Sequence, residues 1–192
     1  MSRLRYLWHK WRAMALLLCS CDVAALSRFN FMCGRWPGDE YALASRAHLL
    51  MQKGCVETAL QDSGRLVVLR PDHAGIWFNH GYMLEFAQRW DEARAAFQRA
   101  TELSPQLDRA WYGLGLVLIR LRRFDEAVLA LKRNTELQPL SPFAWYQLAR
   151  VHVDRKESDA AKEIIRHLQG FEPKVAAQLV RETGLLVGKP AG

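Results

Sequence analysis

The residue types that most often carry out chemistry are sparse in this sequence, and they do not fall in metal-binding or catalytic patterns. Cys19, Cys21 and Cys33 are close enough along the chain to gather around a metal ion, but their spacing matches no usual zinc site. On a helix, Cys19 and Cys21 would point about 200° apart, so we expect buried thiols that act as small apolar side chains. The sequence has no Gly-rich phosphate loop and no His-Glu-x-x-His, Gly-x-Ser-x-Gly or Cys-x-x-Cys motif.

Two pairs of adjacent acidic residues are further candidates for acid–base chemistry. Asp91–Glu92 and Asp125–Glu126 recur 34 residues apart, which is typical of helix starts, where carboxylates interact favourably with free backbone N–H groups. We therefore predict that the protein is not an enzyme and that it has no catalytic residue, no metal and no cofactor.

The composition indicates a folded chain with a basic beginning. Half of the 192 residues are apolar and seven are Trp, which excludes a disordered protein. Residues 1–39 hold six basic and two acidic residues, net +4, whereas residues 40–192 hold 21 and 18, net +3. Because the body of the chain is nearly neutral, the total charge of +7 does not indicate nucleic-acid binding. No apolar run approaches the roughly 20 residues that span a bilayer.

Four series of residues repeat with one period of 34 residues. A repeat of this kind determines the fold, and therefore where every candidate site residue lies. The series are Trp77, Trp111 and Trp145; Pro71, Pro105, Pro139 and Pro173; Ala59, Ala93, Ala127 and Ala161; and Glu57, Asp91, Asp125 and Asp159. Each period predicts two helices separated by a short polar break. We expect Asp125 to cap the second helix of its unit and Pro139 to end it.

These residues resemble the tetratricopeptide repeat (TPR) family. The copy most similar to the family pattern consists of Trp111, Leu114, Gly115, Leu118, Ala127, Leu131, Asn134 and Pro139. The resemblance implies an all-α, right-handed solenoid of stacked helix-turn-helix repeats, in which small residues such as Gly115 let helices approach closely. His80 and His152 replace apolar family residues, and we interpret them as core histidines with hydrogen-bond partners.

The period divides the chain into repeats and two terminal segments. The predicted repeats cover 40–73, 74–107, 108–141 and 142–175, and a capping helix over 176–187 is expected to end at Gly184. Residues 1–39 are predicted to be a helical segment that forms a degenerate first repeat. Ser63 stands where a large apolar residue is expected, which predicts looser packing of the 40–73 repeat.

The first 21 residues leave three interpretations open. The Arg-rich start, the apolar run over 13–18 and the sequence Leu18-Cys19-Ser20-Cys21 resemble an export or lipoprotein signal, with Cys21 acylated. The lack of acidic residues also resembles a mitochondrial transit peptide. We favour a first repeat helix over 6–19, with Asp22 opening the second, because apolar residues recur at helical spacing. If part of that apolar stripe is uncovered, residues 1–33 would suit a membrane surface or a partner helix.

The resemblance also implies a concave groove, lined by the first helices, that holds a peptide or helix of a partner protein. The residues expected to face it are Phe78, Asn79, Tyr82, Arg109, Tyr112, Phe143, Tyr146 and Arg150. Aromatic and Arg side chains are common energetic anchors of interfaces, although several of these aromatics would also serve as packing between repeats.

Some family members bind a terminal carboxylate through Lys, Asn, Asn, Lys and Arg. The corresponding positions here are Ala44, His48, Asn79, Arg109 and Gly113. Only two of these fit, so this chaperone-tail specificity is not predicted, although Arg109 with Asn79 could still bind an acidic group.

We favour a non-catalytic scaffold or adaptor that binds a partner segment, in assembly of a larger complex or as a chaperone. The alternative is a membrane-associated subunit or assembly factor of a secretion, pilus or respiratory complex, anchored by the N-terminal segment. A relative of enzymes in which such repeats only position substrates is disfavoured, because no catalytic domain is found. A cytoplasmic location, with or without membrane association, is expected, and the fold does not identify the partner.

Overall fold

The computed structural model describes residues 3–185 and 187, and all regular elements in that part of the chain are α-helices. They are α1 (Arg3–Leu18), α2 (Asp22–Arg35), α3 (Glu40–Gln52), α4 (Val56–Leu69), α5 (Ala74–Phe86), α6 (Trp90–Leu103), α7 (Asp108–Arg120), α8 (Phe124–Leu137), α9 (Pro142–Asp154), α10 (Ser158–Phe171) and α11 (Pro173–Thr183). The chain divides after Gln88 into two compact units, one with α1–α5 and one with α6–α11. Within each unit, helices that follow one another along the chain pack together. The predicted all-α fold of helical hairpins is confirmed.

A left-handed residue ends the first helix of each hairpin, and it recurs with the same period of 34. These residues, with their φ angles, are Ser20 (54°), Gly54 (75°), Gln88 (59°), Arg122 (58°) and Lys156 (63°). The left-handed residue turns the chain so that a following backbone N–H can donate a hydrogen bond back to the helix. In the hairpin of α3 and α4, the Cys55 N–H donates to the Leu50 carbonyl over 2.8 Å. Only one of the five residues is glycine, so four turns hold a side chain in a conformation that costs about 1–2 kcal/mol.

The prediction that Asp125 caps α8 is wrong. The helix begins one residue earlier, at Phe124, and no side chain caps it. Asp125 instead pairs with Arg155 at 2.8 Å, while its neighbour Glu126 pairs with Arg123 at 2.6 Å. The acidic pairs thus lie in the first helical turn, where negative charge is favourable, but they do not act as N-caps.

The periodic Trp and Pro residues are joined by a hydrogen bond. The indole Nε1 of Trp111 donates to the Pro105 carbonyl over 3.0 Å, and Trp77 and Trp145 make the same bond six residues back, at 2.9 and 2.8 Å. These indoles are half-buried. The bond explains why both series share one register, because each Trp closes the turn that its Pro begins.

Small residues allow close helix packing, as expected at Gly115. A Cβ atom at this position would lie 2.7 Å from Leu131 Cδ2 and 2.8 Å from its Cγ. Ser63, where looser packing is predicted, is buried but lines a cleft between α3 and α5, and its Oγ lies 2.8 Å from His80 Nδ1. Both residues depart from the family pattern, and each is the polar partner of the other. His152 likewise has its partner, with Nδ1 2.6 Å from Glu157 Oε2.

The terminal segments differ in detail from the prediction. The last helix covers Pro173–Thr183 rather than 176–187, because Pro173 suits the first helical position and Gly184 ends the helix with φ 69°. Residues 1 and 2 of the N-terminal segment and Leu186 of the predicted capping helix lie outside the described residues.

The expectation of buried thiols holds for one of the three N-terminal cysteines. Cys33 is buried, and this burial raises the pKa of its thiol. Cys19 and Cys21 are exposed, because they lie in the turn between α1 and α2. None of the described helices is long and apolar enough to cross a membrane.

Candidate functional site

A cleft of the first unit lies between α3 and α5, with α4 behind it, and has a volume of about 640 Å³. Three of the predicted binding residues line it from α5, namely Phe78, Asn79 and Tyr82. Phe78 and Tyr82 are four residues apart and share one face of the helix, and Asn79 lies beside that face, about 100° further round the axis. Phe78 is half-buried, Asn79 is exposed, and Tyr82 leaves 56% of its surface in solvent.

The opposite wall of this cleft comes from α3, and most of it was not predicted as a binding surface. Its side chains include Tyr41, Ala44, His48 and Met51. The sequence does carry a signal for two of them, because a shift of 34 residues places Ala44 on Phe78 and His48 on Tyr82. Tyr41 and Met51 have no aromatic counterpart at that period, so the repeat could not have identified them.

Polar contacts join the helices that form the cleft. Arg46 of α3 donates Nε and Nη2 to both carboxylate oxygens of Asp62 on α4, over 2.7 and 2.6 Å. Asp62 is almost fully buried, and this bidentate contact raises the pKa of Arg46. The Ser63–His80 contact joins α4 to α5 in the same way. The three helices are thereby fixed before any ligand binds.

The start of α3, at one end of the cleft, has a side-chain cap. Asp39 Oδ1 accepts the backbone N–H groups of Tyr41 and Ala42 over 3.1 and 3.2 Å. Tyr6 of α1 lies near Asp39, and burial, followed by the charge of that carboxylate, raises the pKa of Tyr6 to about 12. The phenol therefore stays a neutral donor at any physiological pH.

Three more of the predicted residues lie together in the second unit. Tyr112 of α7 and Phe143 and Tyr146 of α9 line a cleft of about 270 Å³, which Val175 and Gln178 of α11 close. Phe143 is exposed. Tyr112 and Tyr146 stand in the same register as Phe78, one and two periods later, so the same helix face is used in both units.

Two predicted residues of this second cleft are bound by the last helix. The Tyr146 hydroxyl donates to Glu182 Oε2 over 2.5 Å, and Arg150 Nη1 donates to the same oxygen over 3.0 Å. The Tyr146 bond chiefly, followed by the Gln178 amide and Arg150, lowers the pKa of Glu182. Glu182 lies outside the 34-residue repeats, so no periodic signal could have predicted this contact. Arg109, the second residue of α7, is exposed and lies outside the lining of both clefts.

These two surfaces offer aromatic faces beside amide, imidazole and phenol groups. Such a combination suits the binding of a polypeptide segment, since aromatic side chains supply contact area while polar groups orient a backbone.

Comparison with known families gives matches along most of the chain. The family model described as tetratricopeptide repeat matches residues 44–108, 86–133 and 112–169. No curated protein matches the sequence.

Several solved structures have a similar fold. MamA from Desulfovibrio magneticus RS-1 is 19% identical with a TM-score of 0.77, and the match covers 92% of this chain and 96% of that one. YrrB, described as a TPR protein with an unusual peptide-binding site, is 18% identical with a TM-score of 0.78 and 88% coverage of each chain. PilF from Pseudomonas aeruginosa is 17% identical with a TM-score of 0.70, covering 92% of this chain and 89% of that one. At such identities the similarity shows the fold alone.

Proposed function

The chain belongs to the tetratricopeptide repeat family, whose members are protein-interaction scaffolds, and we propose that it is a non-catalytic adaptor that binds a peptide or helix of a partner protein. The proposed binding residues are Phe78, Asn79, Tyr82, Arg109, Tyr112, Phe143, Tyr146 and Arg150. The proposed role is the assembly of a larger complex, or chaperoning of a partner before assembly. Four free cysteines in the described part of the chain support a reducing, cytoplasmic location.

The cleft between α3 and α5 is the observation on which this proposal rests. Its volume of about 640 Å³ accommodates one or two large side chains of a partner segment. Tyr82 lines it with more than half of its own surface exposed to solvent. YrrB, a TPR protein of similar fold, has a peptide-binding site, which supports the same use here.

The second cleft supports a more selective role. Phe143 is open to a ligand, whereas Tyr146 and Arg150 are engaged with Glu182. A carboxylate of a partner segment could take the place of the Glu182 carboxylate and accept hydrogen bonds from Tyr146 and Arg150, since these donors bind any carboxylate oxygen in that position. The proposal therefore assigns apolar anchors to the first cleft and an acidic contact to the second.

The proposal is tested by selecting peptides from a random display library on the immobilised full chain. The affinity of a selected peptide is then measured by calorimetry for the wild type, for Tyr82→Ala and for Phe86→Ala. Phe86 is a matched control, because it lies on the same helix, is similarly exposed at 59% and does not line the cleft.

We expect Tyr82→Ala to weaken binding by about tenfold or more, as truncation of an aromatic anchor does, and Phe86→Ala to leave it within about twofold. Equal effects of the two substitutions would contradict binding in this cleft. A library that yields no peptide above background would contradict peptide binding altogether.

A further inference from the structure

Helix α1 has two apolar faces, and only one of them is covered. His9 and Ala13 are buried, and Leu16 and Leu17 pack against the core of the first unit. That inner face explains why the helix folds onto its neighbours. It leaves the rest of the apolar side chains without a packing role.

The uncovered face forms a continuous stripe along the helix. At about 100° per residue, five large side chains fall within an arc of about 100°, and all five are exposed. They are Leu4, Leu7, Trp8, Trp11 and Leu18. Leu4, Trp11 and Leu18 leave 76%, 68% and 86% of their surfaces in solvent. Isolated exposed apolar residues are ordinary, but five on one helix face mark an interaction surface.

Cationic groups surround this stripe, and no residue of α1 itself is acidic. The guanidinium carbons of Arg12 and Arg28 lie 5.2 and 5.7 Å from the Trp8 ring centroid, and Arg5 is exposed one turn earlier. Residues 1–21 contain no Asp or Glu. A partner for this face must therefore be both apolar and negatively charged.

We propose that this face of α1 lies on an anionic lipid surface. An interfacial helix places Trp and Leu at the boundary of headgroups and acyl chains, while flanking arginines contact anionic headgroups. The stripe and its rim have this arrangement. The helix is 16 residues long, or about 24 Å, and so lies along the surface.

The same charge disfavours a second copy of the chain as the occupant. Pairing of two copies through this stripe would bring the arginines around it, Arg5, Arg12 and Arg28, close to those of the other copy. Like charges opposed in this way disfavour association. Anionic lipid relieves this repulsion instead of adding to it.

The experiment is flotation of the full chain with equimolar phosphatidylcholine–phosphatidylglycerol vesicles and with pure phosphatidylcholine vesicles. The test variant is Leu4→Gln/Trp11→Gln, which removes two exposed side chains of the stripe. The matched control, Leu129→Gln/Leu140→Gln, removes two exposed apolar side chains of the second unit, at 69% and 73% exposure. Thermal melting confirms that both variants fold. A further variant, Arg5→Gln/Arg12→Gln, tests the cationic rim.

We expect the wild type to float with anionic vesicles only, and Leu4→Gln/Trp11→Gln to weaken that partitioning about tenfold or more. The control should stay within about twofold of wild type, and Arg5→Gln/Arg12→Gln should weaken binding and reduce its salt dependence. Equal binding to uncharged vesicles would overturn the proposal. So would the absence of vesicle binding, or a dimer in sedimentation that Leu4→Gln/Trp11→Gln dissociates.

Discussion

Replacing Gly115 by Ala should destabilise the second unit, although alanine is ordinarily the better helix former. The new Cβ would lie 2.7 Å from Leu131 Cδ2 and 2.8 Å from Cγ, about 1 Å closer than an ordinary carbon contact. Leu131 is fully buried, so its branch point cannot move aside without displacing α8. Overpacking of this kind costs about 1–3 kcal/mol, against a gain of about 1 kcal/mol from helix propensity. We expect a net loss of up to about 2 kcal/mol in the free energy of unfolding.

Urea unfolding followed by far-UV circular dichroism measures this loss, and Gly170→Ala is the matched control. Gly170 lies in α10 with no atom within 4 Å of its added Cβ, so the same substitution should stabilise by about 0.5–1 kcal/mol. In a Leu131→Ala background the Gly115→Ala cost should disappear, because the clashing atoms are gone. Stabilisation by both glycine substitutions would refute the packing assigned to Gly115.

Three further predictions concern charge, backbone conformation and pH. Asp62→Ala should lower the free energy of unfolding in urea by about 3 kcal/mol or more, because it leaves Arg46 partly buried without its ion-pair partner. The double variant Arg46→Met/Asp62→Leu should recover most of that loss. A mild effect of Asp62→Ala would contradict the role of this ion pair. Lys156→Gly should stabilise by about 0.5–1 kcal/mol and Gly54→Ala should destabilise by about 1 kcal/mol, since both residues have positive φ; opposite signs in thermal melting would contradict the left-handed turns. Burial, followed by the charges of Arg28, Arg5 and Arg12, lowers the pKa of His9 below 6.5, so the folded state binds a proton less readily than the unfolded state, and the stability from neutral His9 is present above about pH 6.5 and lost as the pH falls below it. His9→Gln should therefore show a smaller loss of urea midpoint than wild type between roughly pH 7 and pH 5, and an unchanged loss would contradict this sign.

The 34-residue period of the sequence predicts where the helices lie and which helix positions the site residues occupy. Both follow from the position of a residue within its repeat. Phe78, Tyr112 and Tyr146 share one register, and each lines a cleft of its own unit. Tyr41 and Met51 could not be found in this way, since their contribution depends on how α3 packs on α4 and α5. Glu182 was missed for a related reason, because it belongs to the last helix and has no equivalent in the repeats.

Other errors have a local physical cause. Asp125 has the side chain of a cap, but the left-handed turn at Arg122 places the N-cap at Arg123, so that Asp125 is the second residue of the helix. Ser63 is a small polar residue where the repeat pattern has a large apolar one, and only the structure shows that its hydroxyl is the partner of His80.

The central claim is that a partner peptide binds in the cleft between α3 and α5. Photo-cross-linking tests it most directly, with p-benzoylphenylalanine introduced at position 82 or, as the control, at position 86 of the full chain. The selected peptide is added, the sample is irradiated, and mass spectrometry locates the adduct. We predict a peptide adduct at position 82 and none at position 86, because Tyr82 lines the cleft and Phe86 does not. An adduct at position 86 alone, or equal yields at both positions, would contradict the claim.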